Sequence, residues 1–141
     1  MELSFDSGVK EYTIRGVNGV VTVYFSPADV NFAKKAYRVF NDLRKKQEER
    51  VAKLDTTEPS DELFDMVDSI DREMRDIIND LFEQDIADTL FGSVNAYSAA
   101  NGAPVWQNFM MAIIDQFDEA TKREQALADE KIRKYTQKYK K

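Results

Sequence analysis

The sequence predicts an α+β fold, mostly α, with an N-terminal β-hairpin or three-stranded meander packed on a helical bundle. Three observations carry this reading. Two runs of alternating apolar residues flank Asn18-Gly19 near the start of the chain. Beyond them, apolar side chains recur every three or four residues, the period of an amphipathic helix. The stretch Ala103 to Phe117 holds the only tryptophan and the densest apolar run. Within it Trp106, Phe109, Met110, Ile113, Ile114 and Phe117 form a face wider than a two-helix seam needs, so other elements are expected to pack around it. At 141 residues the chain is expected to form a single domain, 1–141, with a core that needs no covalent staples.

Residues 1–25 read as β. Leu3 and Phe5 alternate with polar neighbours, and Tyr12–Val17 and Val20–Phe25 lie either side of Asn-Gly. That dipeptide is a strong hairpin signal, because a type I′ turn needs positive φ at both central residues. A two-residue loop at Asn18-Gly19 pairs Ile14 with Val23 and Tyr12 with Phe25, on one face with Gly16 and Val21. Thr13, Arg15, Thr22 and Tyr24 then point the other way. A lone hairpin is marginal, so it docks on helices or gains a third strand from Glu2 to Asp6. That third strand would leave an edge for another chain.

Ser26-Pro27-Ala28-Asp29 opens a helix over 26–54, with a hydroxyl at the N-cap, proline at the first turn and a carboxylate behind it. Its stripe runs through Val30, Ala33, Tyr37, Phe40, Gln47, Val51 and Leu54. After the break at Asp55–Ser60, Ser60 caps a second helix over 60–84. Leu63, Val67, Ile70, Met74, Ile77 and Leu81 form its near-heptad seam, widened by Phe64, Ile78 and Phe82. The first helix is basic from Lys34 to Lys53 and the second acidic from Asp55 to Asp88, which favours an antiparallel helical hairpin. A short helix over 85–91 ends at Gly92. Residues 93–102 read as a compact loop or weak helical turn, with a turn signal at Asn101-Gly102. The last element is a long C-terminal helix over 104–138 that starts at Pro104. Its far half carries acid-before-base pairs, Asp118/Lys122, Glu119/Arg123, Asp129/Arg133 and Glu130/Lys134, and a thin stripe of Leu127, Ile132, Tyr135 and Tyr139. A helix charged nearly all round projects into solvent or meets a partner.

Composition narrows the function classes. The chain has no cysteine and no histidine. Disulfides, thiolate chemistry, histidine-ligated metals and serine–histidine nucleophiles are excluded together. No run approaches the roughly 20 apolar residues that span a bilayer, and the N-terminus lacks the pattern of a signal peptide. The expectation is a cytoplasmic protein without a cofactor or catalytic residues. A net charge of −6 argues against nucleic acid as the main partner, although the tail Lys131–Lys141 is basic and interleaved with tyrosine. Asp61, Asp65, Asp68, Asp71, Asp76 and Asp80 lack the loop spacing of a cation site and read as a solvated face. Met66, Met74, Met110 and Met111 read as core, although methionines near Trp106 and Phe109 would also suit a client-binding surface.

Three features taken together resemble a known family. They are the β opening Leu3 to Phe25, the acidic helix running into Asp85-Ile86-Ala87-Asp88-Thr89-Leu90-Phe91-Gly92, and Ala103-Pro104-Val105-Trp106 leading to Ile132-Arg133-Lys134-Tyr135-Thr136. Over most of the chain this ensemble resembles the small tail assembly chaperones of siphophages and prophages of Gram-positive bacteria. The resemblance implies a phage- or prophage-encoded, non-enzymatic helper in the bacterial cytoplasm. Its client would be a long helical tape-measure protein, kept soluble until the tail tube forms around it. The expected contact residues are Trp106, Phe109 and Met110, with Ile132, Tyr135 and Tyr139 of the C-terminal helix. No nucleic acid and no membrane are expected as partners, and copies of the chain are expected to associate. Two rival readings remain: a self-associating structural or adaptor protein of the phage particle, and a carboxylate-based metal-dependent enzyme.

Overall fold

The computed structural model describes residues 1–56 and 58–138. Strands β1 (Lys10–Gly16) and β2 (Gly19–Phe25) form an antiparallel hairpin, followed by helices α1 (Val30–Thr56), α2 (Asp61–Phe82) and α3 (Ala87–Phe91). A second, two-residue hairpin of β3 (Ala99–Ala100) and β4 (Ala103–Pro104) leads into the long helix α4 (Val105–Lys138). The fold is α+β and mostly α, with the N-terminal hairpin packed on the helices. Residues 1–9 take no strand, so among the described residues the hairpin stays two-stranded. Leu3 and Phe5 are 86% and 87% exposed.

The hairpin register differs from the expected one by two residues. Ile14 pairs with Val21, Tyr12 with Val23 and Gly16 with Gly19, so the loop is Val17-Asn18. A shift of two leaves every side chain on its expected face: Val23 and Phe25 are buried, while Thr13, Arg15 and Tyr24 are exposed. Docking explains the change. The N–H groups of Val17 and Asn18 donate to the carbonyls of Leu90 and Thr89, at 2.9 and 3.0 Å, so the loop is built against α3. Positive φ falls on Gly19 alone in this turn. Tyr12 and Phe25, one register step apart, stack with ring centroids 4.3 Å apart.

The stripe on α1 is rotated by about one residue from the expected one. Ala36 and Leu43 are fully buried, with Phe32, Val39 and Phe40 packed beside them. Val30, Tyr37 and Val51 are exposed instead. The face is selected by packing on α2 and α4, since Phe32, Ala36, Val39 and Leu43 share the helical period equally well. On α2 the expected seam holds: Leu63, Met74, Ile78 and Leu81 are buried, although Phe64 is exposed. Ser60 caps this helix, accepting a hydrogen bond from the Leu63 N–H. Opposite charges of the two helices meet at Lys46 Nζ and Glu73 Oε2, 2.9 Å apart.

Glu83, at φ 52°, reverses the chain after α2. The Asn79 side chain then accepts from the N–H groups of Ile86 and Ala87, satisfying the start of α3. The sequence Asn101-Gly102 forms the turn of the small hairpin, with φ 55° and 86°, positive at both positions. Residues 99–104, expected as irregular loop and helix start, therefore hold a β-ribbon, and Pro104 precedes α4 rather than opening it. The first amides of α4 donate back to the residues just before this ribbon, Val105 to the carbonyl of Ser98 and Trp106 to that of Ala96.

Candidate interaction surfaces

The first half of α4 is the centre of the core. Trp106 and Met110 are 0% exposed, and Ile113, Ile114, Phe117 and Ala120 are buried along the same face. The indole of Trp106 packs edge-on against Phe40 and donates its N–H to Gln47 Oε1 at 3.1 Å. Both of its chemical needs, apolar cover and a hydrogen-bond acceptor, are met inside the chain. Trp106 and Met110, expected at a contact surface, are therefore core residues here. Phe109 is different: half-buried, it touches Phe82 and Phe91 and turns its other side outward.

That outward side lies in a shallow apolar groove between β1 and α4. Tyr12, Ile14, Leu90, Val105, Phe109 and Ala112 line it. The rim toward solvent is β1 itself, the outer edge of a two-stranded sheet. Burial holds the Tyr12 phenol above its ordinary pKa, with the Arg123 guanidinium opposing that shift. The groove thus offers apolar side chains and open backbone hydrogen-bonding groups side by side.

A second surface is the distal half of α4. Every residue from Thr121 to Lys138 is exposed, apart from a half-buried Glu130. Its apolar side chains, Leu127, Ile132 and Tyr135, are all open to solvent. Of the four expected acid–base pairs, Glu130 and Lys134 close to 3.0 Å among the described residues. Tyr139 lies outside the described residues. The structure thus places Phe109 on one surface and Ile132 and Tyr135 on another, roughly 35 Å farther along α4.

Sequence reasoning missed one buried charge. Arg75 is 5% exposed and lies among the carboxylate of Asp71, the carboxylate of Asp88 and the carbonyls of Gly92 and Val94. Asp71, expected on a solvated acidic face, is instead largely buried and also accepts from the Ala96 N–H. The Arg75 hydrogen bond, seconded by Arg72, holds the Asp88 carboxyl below its usual range. The readable signal was the Asp71/Arg75 spacing of four on an otherwise acidic helix. The cluster ties α2 to α3 through Asp88 and to the loop after α3 through Gly92, Val94 and Ala96. Among the described residues, no group of three or more carboxylates is placed to hold a metal ion.

No helix among the described residues is long and apolar enough to cross a membrane. Comparison with protein-family models, with curated proteins and with solved structures finds no match to this chain.

Proposed function

We propose that this chain is a non-enzymatic helper that holds a helical protein client, with the distal half of α4 as the docking element. One observation carries the reading: α4 runs on from the core as an exposed rod of roughly 27 Å over residues 121–138. A helix of that length is marginal alone, and here it is nucleated by the buried half and aided by the Glu130–Lys134 pair. Leu127, Ile132 and Tyr135 supply the apolar contact and the surrounding charges supply solubility before binding. Such an element fits a partner helix laid alongside it.

Joined to the family resemblance, this reading becomes a phage or prophage tail assembly chaperone whose client is a tape-measure-like protein. Co-expression with such a client from the same genome, followed by size exclusion with light scattering, tests it. The expected result is a soluble complex in which the client alone is insoluble, lost in the double variant Leu127→Asp, Ile132→Asp. A client that stays insoluble with the wild-type chain, or a complex unaffected by that variant, would overturn the assignment.

A further inference from the structure

We propose that the N-terminal arm, residues 2–7, adds as a third strand to the β1 edge of a second copy of this chain. This contact is separate from the distal half of α4 and stands whether or not a client is bound there.

The acceptor is already built. In a two-residue hairpin the residues that close the loop, here Gly16 and Gly19, exchange hydrogen bonds. Tyr12, Ile14 and Gly16 therefore bond inward to β2, and the N–H and C=O groups of Glu11, Thr13 and Arg15 point outward. Among the described residues no backbone hydrogen bond reaches those outward groups. Beside them runs the groove floored by Phe109 and Ala112. An open strand edge next to an apolar groove is the geometry of β-augmentation, with backbone bonds for affinity and alternate side chains for specificity.

The donor matches it in period and charge. Leu3 and Phe5 alternate with Glu2, Ser4 and Asp6, and both apolar side chains are almost wholly exposed. An antiparallel register with Phe5 opposite Ile14 and Leu3 opposite Gly16 pairs Ser4 and Asp6 with the outward groups of Arg15 and Thr13. Phe5 and Leu3 then face the groove, with Leu3 toward the end lined by Leu90 and Val105. Arg15 sits diagonally between the carboxylates of Glu2 and Asp6, within reach of both. No like charges stand directly opposite each other in this register.

The arm's own edge suits it less well. Lys10 and Glu11 are held extended by pairing with Phe25 and Tyr24, so a return onto its own β1 must reverse within Gly8-Val9. That return sets Asp6 directly opposite Glu11, a like-charge pair. The arm is instead turned elsewhere: the Gly8 N–H donates to Asp6 Oδ1, the Val9 N–H donates to Ser7 Oγ, and Gly8 lies against Ser26. A second copy is free of that constraint on register.

The native chain has no cysteine, which makes a crosslinking test clean. Two differently tagged single variants, Ser4→Cys and Thr13→Cys, are mixed and treated with a short bismaleimide. Light scattering follows wild type and the Leu3→Asp, Phe5→Asp variant over a concentration series. The expected result is a crosslinked pair joining the two tags, and a wild-type mass of at least two chains. At concentrations where both are monomeric the arm variant should keep the wild-type melting temperature, since both side chains are exposed, while its self-dissociation constant rises at least about tenfold. A wild-type chain that stays monomeric would overturn the proposal. So would a Ser4→Cys, Thr13→Cys double variant that crosslinks only within one chain, or an arm variant that associates as wild type does.

Discussion

Gly16 lies against the backbone of Leu90 with no room for a side chain: a Cβ at this position would stand 2.5 Å from Leu90 Cα and 2.8 Å from the carbonyl oxygens of Leu90 and Thr89. The same carbonyls accept from Val17 and Asn18, so the hairpin tip and α3 are joined backbone to backbone. This contact fixes where the hairpin turns and how the groove beside Phe109 is closed at one end.

Gly16→Ala is expected to destabilise the fold by about 2–3 kcal/mol or more, because the obstacle is backbone and cannot rotate away. Gly102→Ala is the control. Gly102 also needs positive φ but has nothing within 4 Å of its missing Cβ, so its cost is about 1 kcal/mol, from backbone conformation alone. Urea unfolding of the two variants should separate them clearly; equal costs would show that the Leu90 contact yields.

Arg75 is a buried charge with four partners, and removing it leaves Asp71 and the Gly92 and Val94 carbonyls short of donors. Arg75→Met should cost about 3–5 kcal/mol. A double-mutant cycle with Asp71→Asn should show strong coupling, since the two groups act as a unit. Additive losses would mean that the residues stabilise the fold separately.

The single tryptophan is a built-in probe. With Trp106 wholly enclosed, its emission should be blue-shifted and poorly quenched by acrylamide, and it should stay so when a client binds to distal α4. Gln47→Ala leaves the indole N–H without its acceptor and should cost about 1–2 kcal/mol in denaturant unfolding. A red-shifted, readily quenched emission in the native chain would place Trp106 at the surface.

Asp88 supplies a modest acid sensitivity. Its folded pKa lies below 3.8 because Arg75 and Arg72 favour the carboxylate. The stabilisation is therefore complete above 3.8 and is lost as pH falls through the lower folded value. Because Asp88 is more than half exposed, the contribution is small and falls with added salt. Asp88→Asn should lower the urea midpoint at neutral pH, with the gap to wild type closing in acid. A gap that widens in acid would reverse the sign assigned here.

Much of this fold was legible because it rests on period. The seam of α2, the buried face of early α4 and the two faces of the hairpin all follow from spacings of three, four and two. Phe109 among the expected contact residues was legible as apolar, but its half-exposure was not, because the same stripe holds Trp106 and Met110. Which members of a wide apolar face reach solvent depends on what covers each end of the helix, and here α3 and β1 leave only Phe109 open.

Two Asn-Gly pairs show the division most plainly. At Asn101-Gly102 both residues adopt positive φ and the local turn preference is realised, since no neighbouring atom lies within 4 Å of the missing Gly102 Cβ. At Asn18-Gly19 the same dipeptide gives up its preferred turn for two hydrogen bonds to α3. By itself the sequence determined the N-terminal hairpin and the helices, the apolar faces of α2 and early α4, the lack of thiol and imidazole chemistry, and the charged character of distal α4. Only the tertiary structure decided the hairpin register, the face of α1 that is buried, the enclosure of Trp106 and the burial of Arg75. Local preferences differ by about 1 kcal/mol among such alternatives, and a pair of backbone hydrogen bonds or a closed core side chain outweighs that.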